Sequence, residues 1–114
     1  MIANSRFDGH IVQGHVDQTG VVKSIAEMDG SWIFDFEYDA VVGNITVEKG
    51  SICIDGVSLT CFNSHNDGFS VAIIPYTFKH TSFHQLKVGQ FVNLEFDIIG
   101  KYVKRLLNRA ASYR

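Results

Sequence analysis

A single proline and two cysteines are all that this 114-residue chain holds of the residue types that most restrict a backbone. One proline leaves no room for a polyproline segment or a stiff proline-rich linker. Two cysteines exclude a disulfide-dense small scaffold and a four-cysteine zinc module. A large excess of charge of either sign is also missing. Ten Lys and Arg stand against twelve Asp and Glu, a net charge of −2, so no overall field draws nucleic acid or an anionic membrane to the chain. No apolar run reaches the roughly 18 residues a spanning helix needs, and no basic-then-apolar leader precedes a small-residue cleavage site. There is no internal repeat, no low-complexity tract, no nucleophilic triad and no phosphate-cradling glycine loop. The expectation is a soluble, cytoplasmic protein with neither nucleic acid nor membrane among its partners.

What is present is apolar residue content of 46%, enough for one domain that buries about two thirds of its unfolded surface. The most informative stretch runs from Lys49 to Cys61. Two β-prone runs flank Asp55-Gly56, a dipeptide suited to a two-residue hairpin because both positions accept positive φ. That turn pairs Ile54 with Val57, Cys53 with Ser58, Ile52 with Leu59 and Ser51 with Thr60. Side chains alternate along a strand, so Ile52, Ile54, Val57, Leu59 and Cys61 share a core face. Ser51, Cys53, Ser58 and Thr60 share the other. That second face has short hydroxyls and a thiol but no charge, which suits a flat ligand with polar edges or a close protein neighbour. The plainer account, a solvated strand surface, stands beside it. Cys53 and Cys61 point to opposite faces, and a disulfide between them would break the register; free thiols are expected.

Along the rest of the chain, Met1 to Asp8 reads as a lead-in and Gly9 to Asp17 as an extended segment. His10 and His15 are five apart, so a strand turns them to opposite faces and they cannot share a metal. Thr19 to Ile25 continues as strand, with a bulge or bend expected at Gly20, and Asp29-Gly30 is a turn. Trp32, Phe34, Phe36 and Tyr38 alternate with Ile33, Asp35, Glu37 and Asp39 as a core strand. Val41 to Ile45 is ambiguous. After a turn at Asn66-Asp67-Gly68, Phe69, Val71 and Ile73 form one strand face, with Ser70, Ala72 and Ile74 on the other, and Pro75 ends the strand. Thr77 to Leu86 holds a helical turn on which His80 and His84, four apart, can share a face as surface histidines. Val92, Leu94 and Phe96 mark a last strand. Ile99, Val103, Leu106 and Ala110 then form an apolar helical seam beside Lys101, Lys104, Arg105 and Arg109, either a cap on the sheet or a contact between copies. Short strands, turn signals and one final helix point to an all-β barrel or sandwich.

The motif Gly9-His10-Ile11-Val12-Gln13-Gly14-His15-Val16-Asp17, with Ile54-Asp55-Gly56-Val57-Ser58-Leu59-Thr60, resembles riboflavin synthase of the alpha-chain type. The likeness is to the second of that family's two lumazine-binding barrels. Ile74-Pro75-Tyr76-Thr77, Thr81 and the Lys87-Val88-Gly89 turn into Val92-Asn93-Leu94-Glu95 follow the same order and spacing. Nothing here resembles the Phe-Thr-Gly-Ile-Val type opening of the first barrel, so the chain is expected to be the C-terminal half of a longer protein. The resemblance implies a six-stranded Greek-key β-barrel over residues 9–97, a lead-in at 1–8 and a C-terminal α-helix at 98–114. It also implies a trimeric parent whose C-terminal helices associate.

The implied reaction is dismutation of two 6,7-dimethyl-8-ribityllumazine molecules to riboflavin and 5-amino-6-ribitylamino-uracil, with no metal or organic cofactor. Binding residues carried over by position are Gly14, His15, Val16, Lys49, Ser58, Leu59, Thr60, Ala72, Ile73, Ile74, Pro75, Tyr76 and Thr77. His15, Ser58 and Thr60 would carry the catalysis, and the working site would lie against the N-terminal barrel of a neighbouring subunit. The isolated chain is expected to be weakly active or inactive. The competing reading is a non-catalytic lumazine- or flavin-binding protein. A flavin barrel of ferredoxin-reductase type would need an Arg-x-Tyr-Ser/Thr stretch, which is absent.

Overall fold

The computed structural model describes residues 16–97, together with 101–102, 105–107 and 109. The Asp55-Gly56 turn forms with φ of 48° and 87°, the mirror-type geometry whose twist matches that of the strands it joins. It links β3 (Ser51–Ile54) to β4 (Val57–His65), and all four expected pairs, from Ser51 with Thr60 to Ile54 with Val57, are present. A second turn of the same kind, at Asp29 and Gly30, joins β1 (Gln18–Met28) to β2 (Ser31–Tyr38). β5 (Gly68–Ile73) returns from β4, and β6 (Phe91–Phe96) closes the set.

Around the ring the strands run β1-β2-β5-β4-β3-β6, forming a closed antiparallel barrel. β3, β4 and β5 are successive neighbours, and β6 returns to lie beside β3, which is a Greek key. Closure leaves no unpaired sheet edge to attract another strand.

Alternation delivers the core. Phe34, Phe36 and Tyr38 from β2, Phe69, Val71 and Ile73 from β5, Ile52 and Ile54 from β3, and Val92, Leu94 and Phe96 from β6 all point inward. Rings fill much of the interior, with Phe36 stacked on Phe69 at 5.4 Å and Tyr38 edge-on to Phe96 at 5.1 Å. Such pairs add about 0.5–1.5 kcal/mol each beyond area burial.

Three details depart from expectation. The bulge lies not at Gly20 but at Lys23, where pairing to β2 steps from Val22↔Phe36 to Ser24↔Asp35. Gly20 is needed for a close approach instead: a Cβ there would come within 2.8 Å of Leu94 Cδ1. The ambiguous stretch after β2 makes a 3-10 turn at Ala40–Val42, capped by the Asp39 carboxylate, which accepts from the Val41 N–H.

The third departure concerns the expected helical turn over Thr77 to Leu86, which begins earlier and breaks. α1 spans Pro75–His80, with proline at its first position, where a missing N–H costs nothing. Thr81 is then extended, and a 3-10 turn follows at Ser82–Gln85. His80 and His84 therefore do not share a helical face. His80 packs on Tyr76 with ring centroids 4.2 Å apart, while His84 Nδ1 lies 3.1 Å from the Phe78 carbonyl oxygen. These two short elements close one end of the barrel. Phe78 stacks flat on Trp32 at 4.2 Å, and Phe83, fully buried, meets Phe34 edge-on at 5.1 Å.

After β6, residues 101–102, 105–107 and 109 are helical. Lys101 fastens this part to the barrel: its N–H donates to the Asp97 carbonyl, and its ammonium lies 3.2 Å from Asp17 Oδ2. Of the expected seam, Leu106 is 48% exposed; Ile99, Val103 and Ala110 lie outside the described residues, as does the His10 to His15 segment.

Candidate functional site

Strand β4 of the hairpin forms one wall of a cavity of about 420 Å³, while Ser51 and Cys53 of β3 are not in its lining; the volume is within the range of about 300–1,000 Å³ typical of small-molecule sites. Ser58, Leu59, Thr60, Cys61 and Phe62 contribute from β4, Ala72 from β5, Ile74 from the residue that follows it, and Thr77 from α1. Lys49, just ahead of β3, completes the lining. The placement follows from the local chain. Alternation turns Ser58 and Thr60 away from the barrel interior, and the same alternation on β5 turns Ala72 out while Val71 and Ile73 go in. Pro75 then swings the chain into α1, which brings Thr77 over the same surface.

Lys49 is held in an unusual backbone state. Its φ is 65°, a left-handed conformation that costs a non-glycine residue about 1–2 kcal/mol. Its N–H donates to the Cys61 carbonyl at 2.8 Å, and Cys61 N–H donates to the Gly50 carbonyl at 2.8 Å. The loop is thereby laced to β4 in the middle of the cavity wall.

Chemically, the site offers two hydroxyls from Ser58 and Thr60, a third from Thr77, one ammonium and several apolar surfaces, with no carboxylate in the lining. That inventory can hold a flat heterocycle by its faces and its hydrogen-bonding edge. Among the described residues no group of three His, Cys, Asp or Glu side chains converges as a metal site would. Cys61, fully buried, has its thiol pushed up to about 12, first by burial and then by Asp97 and Glu48. It is a protonated core residue and not a nucleophile. Burial likewise raises the Tyr38 phenol. Cys53 and Cys61 lie on opposite faces of the hairpin and are not joined by a disulfide.

Seven residues singled out from the sequence meet at this cavity: Lys49, Ser58, Leu59, Thr60, Ala72, Ile74 and Thr77. Others do not. Ile73 is buried at 0% exposure inside the barrel. Pro75 and Tyr76 open α1 but are not in the lining, and Tyr76 packs on His80. Val16, 55% exposed, precedes β1, which is separated from β4 by two strands in either direction around the ring. Gly14 and His15 lie outside the described residues. Phe62 was missed by sequence reasoning, although one further step of the β4 alternation puts an aromatic ring on the Ser58 and Thr60 face. Cys61 was assigned to the core alone.

Residues 13–97 match the family model of the lumazine binding domain. The chain belongs to that family. It is 44% identical over 107 residues to the riboflavin synthase of Actinobacillus pleuropneumoniae, covering 94% of this chain and 50% of that protein. It is 43% identical over 110 residues to the riboflavin synthase of Bacillus subtilis, covering 96% of this chain and 51% of that one. The chain thus spans about half the length of the curated relatives it matches. Among solved structures, it is similar to LumP complexed with flavin mononucleotide, at a TM-score of 0.63 and 28% identity, over 75% of this chain and 48% of that one. The fold is shared as well with LumP complexed with 6,7-dimethyl-8-(1'-D-ribityl) lumazine, at a TM-score of 0.65, 24% identity and the same coverage. A lumazine-binding barrel is a natural setting for a cavity walled by hydroxyls on one side and apolar surface on the other.

Proposed function

We propose that this lumazine-binding barrel is the C-terminal half of a riboflavin synthase and that the 420 Å³ cavity receives one 6,7-dimethyl-8-ribityllumazine. The observation that carries this reading is the meeting of Ser58, Thr60, Ala72, Ile74, Thr77 and Lys49 on one outward surface. Ser58 and Thr60 bond the polar edge of the ring, Ile74 packs on its face, and Lys49 and Thr77 reach the ribityl hydroxyls. Identity above 40% to two riboflavin synthases over nearly the whole chain supports the same assignment.

The reaction transfers a four-carbon unit from one lumazine to another, giving riboflavin and 5-amino-6-ribitylamino-uracil. As a dismutation it needs no outside oxidant, because one substrate molecule gains what the other gives up. The methyl group on carbon seven is acidified by the heterocycle, so the protein's task is to align two rings and move protons. A nearby ammonium such as Lys49 favours the ring anion that follows loss of that proton. In the parent protein the second ring rests on the N-terminal barrel of a neighbouring subunit, and His15 is the residue assigned to pass protons. The parent is a cytoplasmic trimer joined through the C-terminal helices, Leu106 among their contacts.

The likeness to LumP complexed with flavin mononucleotide supports a second reading, a barrel that binds its ligand without turning it over. Incubating the full two-barrel protein with dimethyl-ribityllumazine separates the two. Riboflavin accumulation with one uracil product per riboflavin supports the synthase. Tight binding without product supports the second reading and overturns the first.

A further inference from the structure

Glu48 lies one residue outside the cavity, yet both its carboxylate oxygens are committed. Oε2 accepts from the Asn63 N–H at 3.1 Å and Oε1 from the Ser64 N–H at 2.8 Å. Those two amides sit where the β4–β5 ladder slips between Phe62 and His65, with Asn63 at a φ of 52°. At that interruption Glu48 serves as the acceptor that a neighbouring strand supplies elsewhere. Buried or not, backbone N–H groups bonded to a carboxylate form charge-assisted contacts stronger than neutral ones. Among the described residues Glu48 makes no ion pair, so its charge is directed at the backbone.

The consequence falls on its neighbour. Lys49 follows directly, in its left-handed conformation, and its own N–H is tied to the Cys61 carbonyl. The strap from Glu48 to Gly50 is therefore hooked to β4 at two levels: by backbone pairing at Cys61 and by the Glu48 carboxylate at Asn63 and Ser64. A strained φ persists only where its surroundings hold it. The ammonium that this strap delivers is the one cation in the cavity lining. We propose that Glu48 is a positioning residue: by bonding the amides of the β4 bulge it holds Lys49 in the left-handed conformation that aims its ammonium at the bound lumazine. The inference rests on the ligand assignment made above and adds to it the residue that sets the orientation of Lys49.

The test is a double-variant cycle read as the Kd for riboflavin by flavin fluorescence, using the whole 114-residue chain. Glu48→Gln keeps the size but loses the charge and one acceptor oxygen; it is expected to weaken binding about threefold to tenfold, as loss of a hydrogen bond's net contribution does. Lys49→Ala is expected to weaken binding by at least as much. In the Lys49→Ala background, Glu48→Gln is expected to change Kd by less than about twofold, because nothing remains to be aimed. The small thermal loss caused by Glu48→Gln is expected to be the same in both backgrounds, so the dependence on Lys49, which a merely structural role would not produce, appears in Kd alone. Glu48→Asp, which keeps the charge and shortens the reach, is expected to repeat the pattern. Equal weakening by Glu48→Gln with and without Lys49 overturns the proposal, as does an unchanged Kd for either single variant. If the unsubstituted chain fails to bind riboflavin, the ligand assignment itself falls, an outcome visible before any variant is made.

Discussion

Leu59, Thr60 and Cys61 are consecutive and all line the cavity, yet they differ in burial: Thr60 is exposed, Leu59 is half-buried and Cys61 is fully buried in the core. Thr60→Ala is expected to leave stability within about 0.5 kcal/mol of the parent, as surface changes do, while weakening riboflavin binding by about 0.5–1.5 kcal/mol. Ile54→Ala, at a fully buried position on the inward face, is expected to cost about 2–5 kcal/mol of stability. Urea melts and ligand titrations on both variants check this; equal melting losses would contradict the face assignment. Cys61 supplies a pH prediction. Its thiol keeps its proton up to about 12 in the fold but releases it near the ordinary 9.0 when unfolded. Unfolding between those values releases a proton, so rising pH favours the unfolded chain there and changes nothing below about 9. Urea melts at about pH 8 and pH 10.5 should show a steeper loss for the parent than for Cys61→Val. Parallel losses would mean that burial does not hold the thiol. Residues were legible where period-two alternation governs, as at Ser58, Thr60 and Ala72. Ile73 and Tyr76 were carried into the site by position alone, and their orientation depends on which face β5 buries and on what α1 packs against.

The β3–β4 hairpin was readable as a whole element because turn and pattern specify the same register. Asp55 does more than bend the chain there: its N–H donates to the Asn93 carbonyl at 2.9 Å, and its carboxylate accepts from the Asn93 N–H at 2.8 Å. That cross-link to β6 locks the turn into the barrel wall. Gly56→Ala, at a φ of 87°, is expected to cost about 1–2 kcal/mol through left-handed strain. The midpoint of a urea melt should fall with an unchanged slope; an unaffected midpoint would mean that the turn relaxes to another type. Elements whose shape is set by distant partners were not legible. Gly20 signalled a bend, but it serves Leu94 across the ladder to β6. The loop before β3 is fixed by Glu48 reaching Asn63 and Ser64, fifteen or more positions away. Phe83, buried against Phe34, comes from a segment with no periodicity to announce it.

At the scale of the molecule, the closed barrel presents an outward cavity, and the proposed function completes the chemistry on a second barrel. Pattern alone reached only an all-β barrel or sandwich; six strands and a Greek-key path were what the resemblance to riboflavin synthase implied, and the closed barrel has both. The cavity itself needed the fold, since Lys49, β4, β5 and α1 meet there only after closure. On the proposed function a single barrel would hold one of the two rings, and losing the facing surface would forfeit an orientation advantage that can reach about 7–11 kcal/mol. Binding therefore tests the account more directly than turnover. The decisive measurement is titration of the purified chain with riboflavin, followed by flavin fluorescence, beside a Ser58→Ala, Thr60→Ala double variant. The account predicts one site per chain in the parent, affinity at least about tenfold weaker in the double variant, and thermal midpoints that agree closely. Equal affinity in the two proteins would contradict it and place the ligand on some other surface of the barrel.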